Sequence, residues 1–485
     1  MTFPYLTVES SPARQRGPGA RLVRWWRAHW RTHGRHAAGA MTATGAGALA
    51  SGLASALSSK ILATVGGPGS IALLATLQQA RQGGLIAASF NGQAALIQGS
   101  SARTGIERRE YVRTVALLFL LGVLAVSAAC LGFPSALRHI AGLAALNDRA
   151  LAWVAMSIAL ASAFLFLTSI LNALGRIRTL AALQIVSPAS LAVGMAVLIH
   201  AAGRAAEPLA GRLPLLVAIS AVIPASAAAV ALLWRWAQWR EWVRGPGKRW
   251  SQRAAREFLS ISGALLASGL IATGALLAVR GRMVATAGLA ATGCFDAAWT
   301  ISMNHASLLV ASLQTYCLPA LARARSAREQ SEHVSSVLLL AMPAAAAVIA
   351  AIAIAKPMVI GLLYTPAFGP AAELLRWTLA GDYLKIGSWI LSLPLLARAD
   401  MKAFLLLDAA AYAAFAAAPL LFSHWLPAAE SAAAAFVLMY AVHLGLAAAL
   451  SRWRCGIRIA APALIAWGAG ALVTAAVSAF TWNRI

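Results

Sequence analysis

Apolar runs long enough to cross a membrane follow one another along almost the whole chain, and short, arginine-rich loops separate them. The hydrocarbon core of a bilayer takes about 20 apolar residues per helix. The chain is 60% hydrophobic and 11% charged, whereas a soluble chain is typically about a quarter charged. The sequence therefore predicts an all-α polytopic membrane protein. Its alanines and glycines suit helices that approach each other closely.

Thirteen of these runs are predicted to be membrane spans. They lie near residues 41–64, 71–97, 112–132, 150–173, 180–201, 213–234, 257–279, 286–317, 334–363, 371–396, 402–422, 429–450 and 459–480. Lysine and arginine accumulate in every second loop, as expected for loops that stay in the cytoplasm. This alternation predicts a cytoplasmic N-terminus and an outer C-terminus.

The longest basic loop follows the sixth span and divides the chain into two sets of six. Each set has an even number of spans, so both enter the membrane in the same direction, which is typical of parallel repeats around a central cavity. The sequence thus predicts two six-helix bundles and an extra thirteenth helix. The predicted divisions are a basic cytoplasmic extension (1–40, with Met41 as an alternative start), an N-terminal bundle (41–234), a cytoplasmic linker (235–256), a C-terminal bundle (257–450) and a C-terminal helix (451–485).

Several classes of function find no support in the sequence. The net charge of +25 comes from basic residues between apolar runs, so we expect no nucleic-acid partner. The four cysteines are scattered without a C-x-x-C pair and are predicted to be free thiols. The phosphate-binding motif G-x-x-x-x-G-K-[ST] and the zinc motif H-E-x-x-H are absent. We therefore expect a transporter without a cofactor rather than an enzyme.

Polar residues inside the predicted spans are the best pointers to function. Placing an ionisable group at bilayer depth costs about 2.5–3.5 kcal/mol on insertion scales, unless the group faces protein or water. In the second span, Gln78, Arg81 and Gln82 share one helix face. An arginine fork can bind two phosphate oxygens, so we interpret this face as part of a substrate cavity. A structural arginine bound to neighbouring helix ends is the alternative.

The eighth span carries a polar stripe in which residues follow one another at intervals of four. Asp296, Thr300 and Asn304 form the stripe, and His305 adjoins it. Asp296 and Asn304 are candidates for gating or ion coupling, with a packed structural stripe as the alternative. His305 by itself is interpreted as structural.

Three further cations lie near the predicted outer ends of spans and are candidates for the same cavity: Lys60, Arg280 and Arg376. Snorkelling of Lys60 to the interface and solvation of the arginines are the alternatives.

The tenth span contains an aspartate and a lysine three positions apart. Asp382 and Lys385 lie on one helical face and can pair, which would lower the cost of burying both. A structural salt bridge is one interpretation. The other is a gating or coupling pair that opens when a proton, a cation or an anionic substrate arrives.

Three stretches resemble a pattern in Wzx-type flippases, closest to the branch that translocates O-antigen and enterobacterial common antigen. The resemblance covers about residues 41–455. It rests on SSKILATVGGPGSIALLATLQQ (58–79) with Asn91-Gly92, on SLQTYCLPALARA (312–324), and on Gly381, Asp382, Lys385, Arg398, Lys402 and Asp408. The chain departs from the pattern at Met303-Asn304-His305, where the family often has an acid, so ion coupling at that place is in doubt.

This resemblance implies the MATE-like fold of the MOP superfamily. It implies a flippase of the bacterial inner membrane that moves undecaprenyl-diphosphate-linked oligosaccharides from the cytoplasmic to the periplasmic leaflet for O-antigen or exopolysaccharide synthesis. Membrane lipids, a glycan polymerase and a chain-length regulator would be its partners, and a gradient of H+ or Na+ would drive it.

Three alternatives stay open at this point. An ion-coupled drug or small-molecule antiporter of the same fold predicts a more acidic cavity. A membrane glycan polymerase or ligase predicts a long outer loop, which the sequence lacks. A scaffold of the glycan assembly machinery makes no distinct prediction.

Overall fold

Every regular element described in the computed structural model is a helix. The structure describes residues 55–135, 148–174, 176–202, 209–233, 246–324 and 326–481. The helices are α1 (55–89), α2 (Gln93–Ser101), α3 (Gly105–Gly132), α4 (Asp148–Ala173), α5 (Ile177–Ala202), α6 (Leu209–Leu233), α7 (Gln252–Arg323), α8 (Ala327–Ile354), α9 (Lys356–Leu363), α10 (Ala371–Ala397), α11 (Met401–Phe422), α12 (Ala428–Cys455) and α13 (Ala461–Phe480), with a 3-10 turn at Pro366–Phe368.

A glycine turn breaks each of the two longest helices, α1 and α7, into a hairpin of two arms. Gly67 has φ of +62° and Gly288 has φ of +81°, a left-handed conformation that glycine adopts without the steric cost of a Cβ atom. The arms of α1 correspond to the first and second predicted spans, and those of α7 to the seventh and eighth. The predicted all-helical fold is confirmed.

Within the described residues, nine helices are long and apolar enough to cross a membrane. The broken helices α1 and α7 each count once among the nine, and α10, which carries Asp382 and Lys385, is not among them. The protein is therefore a multi-pass membrane protein. The end of the helices opposite the arginine-rich loops, where both glycine turns lie, is called the outer end below.

Local sequence signals explain several helix ends. Ser326 begins α8 by accepting a hydrogen bond from the backbone N–H of Glu329, and Asp400 begins α11 by accepting one from Ala403 at 3.1 Å. Both are N-cap residues with an oxygen that satisfies a free helix donor. Gly456 ends α12 in the left-handed conformation, as a C-terminal glycine commonly does.

The largest buried cluster is apolar and includes residues of both halves. It extends through α1, α4, α5 and α6 and through α7, α8, α10, α11 and α12. A second cluster packs Ala254, Ala255 and Phe258 at the inner end of α7 against Tyr111 and Phe119 of α3. The start of α7 thus contacts α3 of the first half of the chain.

The extra helix α13 packs against α8 and α10. The Tyr383 hydroxyl donates to the Trp467 carbonyl at 2.6 Å, and Lys356 donates to the Thr481 carbonyl at 2.6 Å. The predicted thirteenth helix is therefore present. The predicted extension 1–40, the start of the first span and most of the linker 235–256 lie outside the described residues, and the domain boundaries stay a prediction.

Candidate functional site

A buried ion pair joins the two arms of α7. The Arg280 side chain is 5% exposed and that of Asp296 is 1% exposed. Arg280 Nε donates to Asp296 Oδ1 at 2.7 Å, and a terminal guanidinium nitrogen donates to Gln79 Oε1, on α1, at 3.4 Å. The seventh span was predicted to end at residue 279, just before Arg280, whereas in the structure Arg280 lies inside the first arm of α7, eight residues before the Gly288 turn. The charge of Arg280 is neutralised by the predicted gating residue Asp296.

Asp382 is fully buried and contacts the second arm of α7. Ser302 Oγ donates to Asp382 Oδ1 at 2.9 Å, and His305 Nε2 lies 3.3 Å from Asp382 Oδ2. This second contact has an ion-pair distance without hydrogen-bond geometry. The Ile301 carbonyl lies 3.0 Å from His305 Nδ1, and because a carbonyl only accepts, Nδ1 carries a hydrogen. His305, interpreted from the sequence as structural, is the imidazole that faces the Asp382 carboxylate.

Lys385 does not form the ion pair with Asp382 that their spacing predicts. Its ammonium group instead lies 3.1 Å from Met303 Sδ and 5.7 Å from the ring centroid of Tyr440. A thioether and an aromatic face stabilise a cation more weakly than a carboxylate does. Lys385 is therefore a buried cation that shares no salt bridge or hydrogen bond with Asp382, the acid nearest to it in sequence.

A second buried pair of a carboxylate and an imidazole was not predicted from the sequence. Asp408 of α11 accepts a short hydrogen bond from Ser268 of α7, and its Oδ1 lies 3.4 Å from His443 Nε2 on α12. The His443 ring stacks on Trp389, with 6.3 Å between centroids. A histidine inside an alanine-rich span was the available signal, but nothing in the sequence pairs it with Asp408.

Two of the predicted cavity cations are held by other groups. Lys60 donates to the carbonyl oxygens of Gly361, at 2.8 Å, and Tyr364. Arg376 forms an ion pair of 3.0 Å with Glu430 of α12. Both side chains are thus engaged by groups of the protein.

The polar face of the second predicted span, unlike the cations described above, includes an arginine without a partner among the described residues. Arg81 and Gln78 are half-buried and Gln82 is exposed. Among the described residues, none forms a hydrogen bond or ion pair with Arg81. Arg81 follows the Gly67 turn by fourteen positions, or about 21 Å at 1.5 Å per residue, which is within the depth of a bilayer. Asn304, the last member of the predicted stripe on α7, is exposed.

The fold is that of the MATE and MurJ transporters. A multidrug resistance MATE transporter of the MOP superfamily, in its inward-facing conformation, superimposes with a TM-score of 0.63 at 14% identity, over 89% of this chain and 96% of that one. The lipid II flippase MurJ, in an inward closed conformation, gives a TM-score of 0.62 at 14% identity, over 92% and 99%. At such identity the likeness shows the fold.

The lipid III flippase of Escherichia coli strain K12 is similar in sequence, with 29% identity over 157 residues. The match covers 32% of this chain and 37% of that flippase. No protein-family model matches the chain. The proteins named here are flippases or transporters and not enzymes, in agreement with the expectation from the sequence.

Proposed function

We propose that the protein is a flippase for oligosaccharides linked to undecaprenyl diphosphate. It would move them from the cytoplasmic to the periplasmic leaflet of the bacterial inner membrane, for the synthesis of O-antigen or exopolysaccharide. The sequence similarity to a lipid III flippase and the MurJ-like fold support a lipid-linked precursor as the substrate. The finer choice of glycan rests on the motifs at residues 58–79, 312–324 and 381–408.

The observation that carries the proposal is the half-buried Arg81 without a partner among the described residues. A cation at bilayer depth is costly unless it faces protein or water. Arginine holds a phosphate through two parallel hydrogen bonds. The diphosphate headgroup would supply the missing anion, while the polyprenyl tail stays in lipid. Gln78 and Gln82, beside Arg81 on α1, would bind sugar hydroxyls.

The test is a leaflet assay on the purified protein in liposomes that contain a labelled undecaprenyl-diphosphate oligosaccharide. A membrane-impermeant enzyme that modifies the sugar reports the fraction in the outer leaflet. We expect the protein to accelerate access. We also expect the substitution Arg81→Gln to weaken transport by about ten- to a hundredfold, as for loss of charge-assisted hydrogen bonds of about 1.5–3 kcal/mol.

The matched control is Arg282→Gln, because Arg282 is an exposed arginine at the outer end of α7. This variant should transport normally. Normal transport by Arg81→Gln would remove Arg81 from the substrate site. A folded wild-type protein that moves no oligosaccharide under either a proton or a sodium gradient would contradict the proposed function.

An ion-coupled drug antiporter is the second candidate, favoured by the MATE fold and by the buried acids of the second half. In that case a lipophilic cation would be the substrate, and the Asp382 carboxylate would bind it. Drug efflux that survives Arg81→Gln but is lost in Asp382→Asn would favour this candidate.

A further inference from the structure

The proposed function gives no role to the thirteenth helix, which the sequence predicts as an addition to two six-helix bundles. Much of α13 lies on the surface of the protein, where Ile465 is 70% exposed and Leu472 is 73% exposed. Such apolar residues suit contact with lipid. Another face of α13 packs against α8 and α10, and α10 carries Asp382.

Two aromatic side chains interlock α13 with α10. Trp467 of α13 rests against Gly387 of α10, where a Cβ atom would lie 2.7 Å from the indole ring. In the reverse direction, the Tyr383 hydroxyl of α10 rests against Gly470 of α13, where a Cβ atom would collide with it. The same hydroxyl donates a hydrogen bond to the Trp467 carbonyl at 2.6 Å. Each helix thus supplies one aromatic residue and one glycine, and a shift of one helix along the other would break both contacts.

The two ends of α13 are also fixed. At the inner end, backbone N–H groups of the segment just before α13 donate to the hydroxyls of Ser331 and Ser335 on α8, each at 3.0 Å. At the outer end, Lys356 donates to the Thr481 carbonyl at 2.6 Å, which satisfies one of the free acceptors at the C-terminal end of a helix. The attachment at both ends makes α13 a fixed support for α10.

Neighbouring residues of α10 contact different helices. Asp382 accepts a hydrogen bond from Ser302 and lies beside His305, both on the second arm of α7; we call these three residues the coupling site. The next residue, Tyr383, bonds to α13 instead. Adjacent residues of an α-helix differ by about 100° around its axis. A rotation of α10 that freed Tyr383 from α13 would therefore also move Asp382 relative to α7.

We propose that α13 positions the coupling site and that Tyr383 is the positioning residue. The hydrogen bond to the Trp467 carbonyl and the two glycine contacts fix the rotation of α10, which keeps Asp382 within reach of Ser302 and His305. Tyr383 acts through Asp382 and not by contact with the substrate. The use of the coupling site in transport rests on the proposed function, whereas the alignment of Asp382 with α7 does not.

The alignment is tested without substrate, by the stability of the full-length protein in dodecyl sulfate. A double-mutant cycle of Asp382→Asn with His305→Gln measures the coupling between these two side chains. The cycle is repeated with Tyr383→Phe added to every variant, because this substitution removes the hydroxyl and keeps the ring. We expect the coupling to fall to less than half. An unchanged coupling would overturn the proposal, and so would the absence of coupling when Tyr383 is present.

The effect on transport is measured in the leaflet assay, with and without an imposed proton or sodium gradient. Gly470→Ala places a methyl group where the Tyr383 hydroxyl lies. The matched control is Gly468→Ala, which adds the same methyl group to α13 where it meets no other described residue within 4 Å. We expect Gly470→Ala and Tyr383→Phe to reduce the stimulation of transport by the gradient severalfold, with downhill movement nearly unchanged. Gly468→Ala should behave as the wild type does.

A helix that only shields α10 from lipid would give a different result. Gly470→Ala would then lower the unfolding midpoint but leave the gradient stimulation of the folded protein intact, and the proposal would be wrong. An equal loss of stimulation in Gly468→Ala would contradict the role of the interlocked residues. If the wild-type protein moved no oligosaccharide, or if neither gradient stimulated it, the proposed function or its ion coupling would fail. The two double-mutant cycles would still decide whether Tyr383 positions Asp382.

Discussion

Two arginines inside the membrane helices show opposite solutions to the same physical problem. Arg280, on α7, is buried against the Asp296 carboxylate at 2.6 Å. Arg81, on α1, is half-buried, and none of the described residues pairs with it. A paired cation contributes to the architecture, whereas an unpaired one at bilayer depth needs a ligand or water. Both arginines lie within membrane helices, so position alone does not distinguish their roles. The presence or absence of a carboxylate partner does, and it makes Arg280 a structural residue and Arg81 a candidate for substrate binding.

The contrast between the two arginines is tested by removing each one and measuring the stability of the variant. We expect Arg280→Met to destabilise the protein by about 3–5 kcal/mol, because it leaves the Asp296 carboxylate buried without a partner. Arg81→Met should cause no loss of stability, since no acid is left behind, yet it should lose transport. The unfolding midpoint of each variant in dodecyl sulfate measures the first effect.

The double variant Arg280→Met with Asp296→Leu controls for the pair. It should recover most of the lost stability, because replacing both members of a buried ion pair by apolar groups is often neutral. If Arg81→Met destabilised the protein as much as Arg280→Met, an unrecognised partner would hold Arg81 and the contrast between the two would be wrong.

The same comparison among the acids separates Asp296 from Asp382. Asp296 faces a permanently charged arginine, whereas Asp382 faces an imidazole that can gain or lose a proton. We expect Asp382→Asn to abolish any stimulation of transport by an imposed proton or sodium gradient while downhill movement persists at a severalfold lower rate. Transport into the outer leaflet, with and without the gradient, is the measurement.

Asn304→Ala is the matched control for Asp382→Asn, because Asn304 lies on the same arm of α7 as His305 but is exposed. Gradient stimulation should survive in this variant. Full stimulation in Asp382→Asn would exclude Asp382 from ion coupling.

A contact of the site could be predicted from the sequence only where its two residues are close in sequence. The helices follow from local apolar runs, and the fold could be predicted from them, but the position of the Gly288 turn could not. Arg280 and Asp296 each lie eight positions from Gly288, so they face each other across the hairpin. The predicted span ended at 279, which placed Arg280 in a loop and hid the pair. Locating the turn at Gly288 would have revealed it.

Contacts between distant helices had no such signal. Asp408 and His443 lie on neighbouring helices, and Ser268 is far from both in sequence. Packing alone brings them together, and periodicity along one helix carries no information about the partner. The spacing of Asp382 and Lys385 was misleading for the same reason. It placed both on one face, but the second arm of α7 supplies a hydrogen-bond partner to each, Ser302 to Asp382 and Met303 to Lys385.

A smaller effect on stability tests whether Asp382 interacts with His305 rather than with Lys385. In a double-mutant cycle of stability, we expect Asp382→Asn and His305→Gln to be coupled by about 0.5–3 kcal/mol, as residues in contact are. The cycle of Asp382→Asn with Lys385→Met should give a smaller coupling than the first cycle, because these two charges interact electrostatically but share no hydrogen bond or salt bridge. A larger coupling in the second cycle would restore the ion pair predicted from the sequence.

The smallest effect is expected at an exposed ion pair at the start of α8. Arg328 and Glu332 lie 3.1 Å apart on α8, but their side chains are 90% and 67% exposed. Water screens such a pair, and holding two long side chains in one geometry costs entropy, so exposed pairs contribute little. Arg328→Ala should leave the unfolding midpoint and transport unchanged within error. A loss of stability comparable to that of Arg280→Met would mean that burial does not decide which charge pairs hold this protein together.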